Sequence, residues 1–192
     1  MTALVLAGGR SRRLGTDKAS LEWGGRTLLA ATVEKMAAIS DDVIIVGNIA
    51  QAHTYPGTKL VRDVYPGKGS LGGIYSGLLA ARDFHSFVVA CDMPFLNPGL
   101  LSYMAGLAPG YDVVIPRLGG HVEPLHAIYS KNCLGPMLGL LQSGDFKIIN
   151  FFGQVRVRHV EKGEIQDFDP GGLSFFNINT RADLERAKAL SG

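Results

Sequence analysis

Ala3-Leu4-Val5-Leu6-Ala7-Gly8-Gly9-Arg10-Ser11-Arg12-Arg13-Leu14-Gly15-Thr16-Asp17-Lys18 passes directly from an apolar run into a loop of glycines and cations. Ala3 to Leu6 shows no alternation of polar and apolar residues, which predicts a strand buried on both faces, as in a parallel sheet covered by helices. The loop then falls at the carboxyl end of that strand, where open α/β sheets bind ligands. Adjacent glycines let a backbone approach a ligand closely and aim its N–H groups at anionic oxygens. Arg10, Arg12, Arg13 and Lys18 add four positive charges to the same short loop. The chemistry is that of a polyphosphate cradle. It is not a P-loop, because the Gly-Lys-Ser/Thr ending is missing, nor a dinucleotide fingerprint, because the G-x-G-x-x-G spacing is absent. A solvated surface turn has a similar composition, so the loop alone leaves that reading open.

Working outward, short runs rich in β-branched residues alternate with segments of helical period, the pattern of an α/β fold with a mostly parallel sheet. Thr27 to Ile39 carries the apolar stripe of a helix. Strands are predicted at Val43–Val46, Lys59–Arg62, Phe87–Cys91, Val113–Ile115, Leu125–Tyr129, Val155–Val160 and Phe175–Ile178. Further helices are predicted from about Leu71 to Arg82, from Pro98 to near Gly106, over Leu134–Gln142 and over Arg181–Leu190, the last with Thr180 as N-cap and Asp183 in a capping-box position. No repeat or linker interrupts the pattern, so residues 1–192 are expected to form a single domain.

Composition narrows the function. The 192 residues are 46% apolar and 19% charged, and 25 glycines are nearly twice the usual share, which excludes disorder and leaves a globular chain with many tight turns. Nineteen Lys and Arg against 17 Asp and Glu give a net charge of +2, too balanced for a nucleic-acid or membrane-surface binder, so any bound anion must be met locally. Cys91 and Cys133 make neither a disulfide framework nor a zinc site, and His121, His126 and His159 stand at non-ligand spacings. With no basic leader and no apolar run of about 18 residues, the expected setting is the cytoplasm.

The stretch from Leu6 to Lys18 resembles the signature loop of the nucleotidyltransferase family that includes the molybdenum cofactor guanylyltransferases, with Leu14 where that family usually has Met. Cys91-Asp92-Met93-Pro94-Phe95, Asp63 with Pro66 to Ile74, Glu123-Pro124-Leu125-His126-Ala127-Ile128-Tyr129 and Phe176-Asn177-Ile178-Asn179-Thr180 resemble further family strings. The resemblance implies a three-layer α/β/α sandwich on a Rossmann-like sheet, with a nucleotide-binding N-terminal half and an acceptor-binding C-terminal half. Leu6, Ala7, Gly8 and Gly9 would contact base and sugar, and Arg13 and Lys18 would hold phosphates and stabilise charge in transfer. Asp63, Gly72 and Gly73 would lie in the nucleotide site, although Asp63 also reads as a plain turn carboxylate. Ser70 replaces the family's common proline there.

Asp92, at the end of a central strand facing a cationic cleft, is the expected Mg²⁺ ligand and a catalytic residue, with a helix-N-terminal carboxylate as the other reading. Asn177 and Asn179, on one side of a predicted strand, would face a pterin, although one of them could instead cap the last helix. Where relatives carry consecutive arginines, the Gly144–Ile149 segment keeps only Lys147. The implied substrates are GTP and molybdopterin, with other cofactor-biosynthesis proteins and molybdoenzymes as partners. GTP over CTP rests on Gly9, one methyl group smaller than the alanine of CTP-using relatives. A cytidylyl- or sugar-phosphate nucleotidylyltransferase and a non-catalytic nucleotide-binding accessory protein are the alternatives.

Overall fold

The computed structural model describes residues 1–7, 18–47 and 55–191, with the side chain of Lys18 outside that set. In chain order, β1 (Thr2–Leu6) is followed by a small hairpin of β2 (Glu22–Trp23) and β3 (Arg26–Thr27), and then by α1 (Leu28–Ala37). Strands β4 (Val43–Val46) and β5 (Thr58–Val61) precede α2 (Gly69–Ala80), and β6 (His85–Ala90) precedes α3 (Pro98–Leu107). Next come β7 (Val113–Leu118), β8 (His121–Val122), β9 (His126–Ser130) and α4 (Leu134–Ser143). The chain ends with β10 (Val157–Glu161), α5 (Lys162–Gln166) and α6 (Arg181–Ser191).

The main sheet has the order β10-β7-β9-β6-β1-β4-β5, with β8 attached to β7. Pairs β1–β4, β1–β6, β4–β5 and β7–β10 are parallel, whereas β9 runs antiparallel to both β6 and β7. The mostly parallel sheet expected from the apolar runs is therefore present. Its two-sided burial follows from the pleat: Ala3 and Val5 face one core while Leu4 and Leu6 face the other. The first core packs the sheet against Leu29, Val33 and Met36 of α1 and Leu100, Leu101 and Met104 of α3; the second uses Leu71, Ile74 and Leu78 of α2 and Met137 and Leu141 of α4. Each such side chain contributes about 1.5–3 kcal/mol on burial. A third cluster, Leu28, Ile178 and Ala187, seats α6 beside α1.

Side-chain caps fix several helix starts. Thr27 Oγ1 accepts from the Ala30 amide at 3.1 Å, and Asn97 Oδ1 accepts from the Leu100 amide at 3.0 Å with Pro98 as the first helical residue. Thr180 Oγ1 accepts from the Asp183 amide at 3.1 Å while Asp183 Oδ2 accepts from the Thr180 amide at 2.8 Å, the capping box expected there.

The two edges of the sheet are built differently. At the amino edge, Asp42 and Asp112 are buried carboxylates held in hydrogen-bond networks. Burial alone would raise the Asp112 pKa, but bonds from the Arg156 amide, Asn132, the Arg156 side chain and Ser130 outweigh it and hold the carboxyl below its ordinary value. The carboxyl edge carries glycines and loops.

Phe175–Ile178 is not a strand. Leu173–Phe175 is a 3-10 turn, because both oxygens of Asp169 take backbone amides, from Leu173 at 3.0 Å and Ser174 at 2.7 Å, and curl the chain before it can join the sheet. The Val155–Val160 prediction also begins too early: Ile148–Gln154 is 3-10, and β10 starts at Val157.

Candidate functional site

The carboxyl edge of β1 and β6 brings Leu6, Ala7 and Asp92 close together in the fold. The ladder continues past the strands, with the Ala7 amide bonding the Val46 carbonyl at 2.9 Å and the Cys91 amide bonding the Leu6 carbonyl at 3.1 Å. Leu6 and Ala7 are nearly buried, so their main chain forms the floor of this edge while the Leu6 side chain turns down towards Gly73 on α2. Gly8, Gly9 and Arg13 lie outside the described residues. The chain is next described at the 3-10 turn Lys18–Ser20, where Ala19 is anchored in the core.

Asp92 lies in the turn just past the end of β6, separated from it by Cys91, and is half-buried, with its Oδ1 shielded from solvent. Cys91 and Met93 on either side are buried in the first core, so the flanking chain fixes where the carboxylate stands. The Ile178 amide donates to the Asp92 carbonyl at 3.0 Å. That bond draws the Phe176–Thr180 string, far away in sequence, onto the same edge. Asn177 is half-buried and its Nδ2 donates to the Phe175 carbonyl at 3.1 Å; Asn179 is exposed, and its amide donates to Asp183 Oδ2 at 3.0 Å. The pairing of both amides on one strand face lapses with the strand, and the helix cap is Thr180.

An aromatic series surrounds this seam. Trp23 meets Phe95 edge-on at 5.5 Å, Phe95 meets Phe176 at 5.9 Å, and the Arg186 guanidinium lies 5.5 Å from the Phe176 ring. A hollow of about 450 Å³ lined by Trp23, Arg26, Lys35, Pro94 and Phe95 opens between α1 and the 94–98 turn. Lys35 Nζ donates there to the Pro94 carbonyl at 2.6 Å and to the Leu96 carbonyl at 3.4 Å, so this cation braces the turn that follows Asp92.

On the far side of β1, the glycine-rich segment forms a rigid corner. Asp63 Oδ1 accepts from the Tyr65 amide at 2.9 Å and the Ser76 hydroxyl at 3.0 Å. This carboxylate therefore organises the turn and ties it to α2. A Cβ on Gly72 would stand 2.8 Å from the Tyr65 carbonyl oxygen and 3.1 Å from Asp63 Oδ1, so only glycine fits; a Cβ on Gly73 would meet Leu6 Cδ2 at an ordinary 3.6 Å. Gly67 and Gly69 have φ of +80° and +65°, the left-handed region that lets the segment reverse into the helix. Lys68 Nζ sits 4.8 Å over the Phe146 ring and links this corner to the 145–147 segment.

Sequence reasoning missed one buried group at the same edge. His126 begins β9, pairs with Val89 of β6 and is fully buried, with its ring 4.9 Å from the Phe175 ring. Burial lowers its pKa to about 4 against the opposing pull of Asp169, so the imidazole is neutral. Glu123, half-buried in the turn before β9, is pushed up by burial with His121 opposing.

A mostly parallel sheet with a half-buried carboxylate past the end of β6 and the Gly67–Gly73 corner beside β1 has the architecture of the α/β proteins that bind ligands at the carboxyl ends of their strands. The model of the MobA-like NTP transferase domain matches residues 3–159, and the chain belongs to that family. It is 38% identical to a probable molybdenum cofactor guanylyltransferase of Pelotomaculum thermopropionicum over 99% of this chain and 93% of the relative. A molybdenum cofactor guanylyltransferase of Desulfosudis oleivorans is 35% identical over 98% and 95%. Among solved structures, molybdopterin-guanine dinucleotide biosynthesis protein A from Archaeoglobus fulgidus superposes with a TM-score of 0.87 at 29% identity, over 100% of this chain and 98% of that one.

Proposed function

We propose that the protein transfers GMP from GTP to molybdopterin. A phosphate oxygen of molybdopterin bonds to the α-phosphorus of GTP, the bond to the α–β bridging oxygen breaks, and pyrophosphate leaves with the electron pair, giving molybdopterin guanine dinucleotide. The observation that supports this reading is the Ile178–Asp92 hydrogen bond, which joins the main chain next to Asn177 to the main chain of Asp92, just past the end of β6. A donor nucleotide on the Leu6–Ala7 floor and an acceptor on the Asn177 side would then meet over Asp92. The names of the relatives supply the two substrates.

The residues present fit a magnesium ion. Asp92 offers a hard oxygen donor at a strand end, which suits an ion bound by one or two carboxylates plus phosphate oxygens and water. When bound, Mg²⁺ supplies charge neutralisation on the triphosphate. Arg13 and Lys18 serve the phosphates, Arg13 by a bidentate grip and Lys18 as a point charge. Gly8 and Gly9 serve base and sugar, as their match to the family's loop implies. Asp63 and Gly72 act by fixing the corner beside the Leu6–Ala7 floor, and Gly73 lies on α2 opposite the Leu6 side chain with ordinary room between them. Asn177 and Asn179 serve the acceptor, Asn177 through the carbonyl end of its amide. Catalysis is positioning plus electrostatics, with no covalent enzyme intermediate. The cytoplasm is the setting in which both substrates meet the chain, and molybdoenzymes and other cofactor-biosynthesis proteins are the recipients and suppliers.

The test is pyrophosphate release from GTP that requires both molybdopterin and Mg²⁺. Preferential consumption of CTP would overturn the base assignment, and GTP binding without turnover would overturn the reaction.

A further inference from the structure

His126 carries a cost that stability does not explain. Among the described residues neither ring nitrogen has a hydrogen-bond partner, although His126 is fully buried, and the Ser174 hydroxyl is likewise buried and without a partner among them. Burying such groups unpaired is unfavourable, a penalty that a leucine or phenylalanine at 126 and an alanine at 174 would avoid. The two orphans bracket one contact. Ser174 immediately precedes Phe175, whose ring lies on the imidazole. They are also chemically complementary: a neutral imidazole has one donor and one acceptor, and a hydroxyl has both.

The surrounding segment is pinned at its two ends, and between them it is held by the packing of Phe175 on His126 and of Phe176 on Phe95. Asp169 holds the amides of Leu173 and Ser174, and the Asp92 carbonyl holds the amide of Ile178. Between these pins, Asn177 is fastened by a local bond to the Phe175 carbonyl, so it goes where Phe175 goes. Joining the imidazole to the Ser174 hydroxyl, directly or through one water, would reseat Phe175 and carry Asn177 with it.

We propose that His126 is a positioning residue for the acceptor side of the site: from beneath Phe175 it takes hold of the Ser174 hydroxyl and sets where Asn177 sits beside Asp92. This rests on the reading that Asn177 serves the acceptor.

The test uses the full chain in steady-state transfer assays, with KM for GTP and for molybdopterin measured separately, alongside thermal melting at pH 7.5. His126→Phe keeps a ring under Phe175 and removes the nitrogens. It should melt at or above the wild-type temperature yet raise the KM for molybdopterin about fivefold, the worth of one hydrogen bond, with the KM for GTP unchanged. Ser174→Ala should do the same, the double variant should be no worse than either single one, and His126→Gln should restore the molybdopterin KM to near wild type. The inference is overturned if both KM values move together, if His126→Phe melts lower and loses kcat in proportion, or if Ser174→Ala leaves the molybdopterin KM untouched. Failure of wild type to transfer GMP to molybdopterin would instead sink the functional reading and this inference with it.

Discussion

Replacing Gly72 by alanine sets two effects of known sign against each other. Alanine in place of glycine inside a helix is favourable by up to about 1 kcal/mol. Opposing it, the new methyl would lie 2.8 Å from the Tyr65 carbonyl oxygen and 3.1 Å from Asp63 Oδ1. The carbonyl belongs to the backbone and already accepts the Lys68 amide at 3.2 Å, so it has little room to yield. Overpacking of this kind costs about 1–3 kcal/mol, which leaves a net loss of about 1 kcal/mol and a urea midpoint lower by about 0.5 M.

The strain falls on Asp63 and Tyr65, so the KM for GTP should rise as well. Two neighbours on the same helix serve as controls. At Gly73 the methyl meets Leu6 at an ordinary 3.6 Å, so Gly73→Ala should be neutral or stabilising by up to about 1 kcal/mol. At Gly77 it would stand 2.7 Å from Leu4 Cδ1 in the core, so Gly77→Ala should lower the midpoint without changing the KM for GTP. Urea titrations and GTP saturation curves for the three variants check the set. A Gly72→Ala protein more stable than the Gly73→Ala protein would refute the steric reasoning.

Asp92→Ala should lower transfer by about 10²–10³-fold while the urea midpoint stays within the range of a surface change, and an insoluble variant would make the carboxylate structural. Chelation with EDTA should abolish turnover and added Mg²⁺ should restore it, read by pyrophosphate release. His126 binds a proton more readily in the unfolded chain, with an ordinary pKa of 6.5, than in the fold, where the value is about 4. Above pH 6.5 the neutral ring carries no protonation penalty, and the fold loses stability as pH falls from 6.5 towards 4, about 1.4 kcal/mol per unit and about 3 kcal/mol across the window; His126→Phe should flatten that part of a stability-against-pH curve measured by urea unfolding. Asp112→Ala strands the Arg156 amide, Asn132 and Ser130 and should cost about 3 kcal/mol in the same titration.

The sheet was legible because a parallel strand buried on both faces leaves a continuous apolar run, as at Ala3–Leu6 and Phe87–Ala90, and because caps such as Thr27 and Thr180 are local chemistry. The hairpin of β2 and β3 escaped notice although Gly24-Gly25, with φ of +54° and +78°, is a strong two-residue turn signal. Helix α5 also carried its signal, the Glu161–Glu164 capping box. Phe175–Ile178 misled because its β-forming composition says nothing of Asp169, whose carboxylate reaches forward to curl it. Asp92 and Asp63 could be singled out from their strand ends, but the sequence does not reveal that Asp63 Oδ1 faces inward to Ser76. His126 was invisible as anything but a core residue, since its unusual state depends on Phe175, which is distant in sequence.

The hydrogen bond between the Ile178 amide and the Asp92 carbonyl also has a meaning in time. Chains emerge from the ribosome N-terminus first and fold progressively. Strands β1, β4 and β6 can align, and the floor for a nucleotide can form, while residue 178 is still being synthesised. On the proposed assignment of Asn177 to the acceptor, the acceptor side arrives last, fastened to a partner made long before it. That assignment predicts that transfer begins only once the final stretch has docked on Asp92.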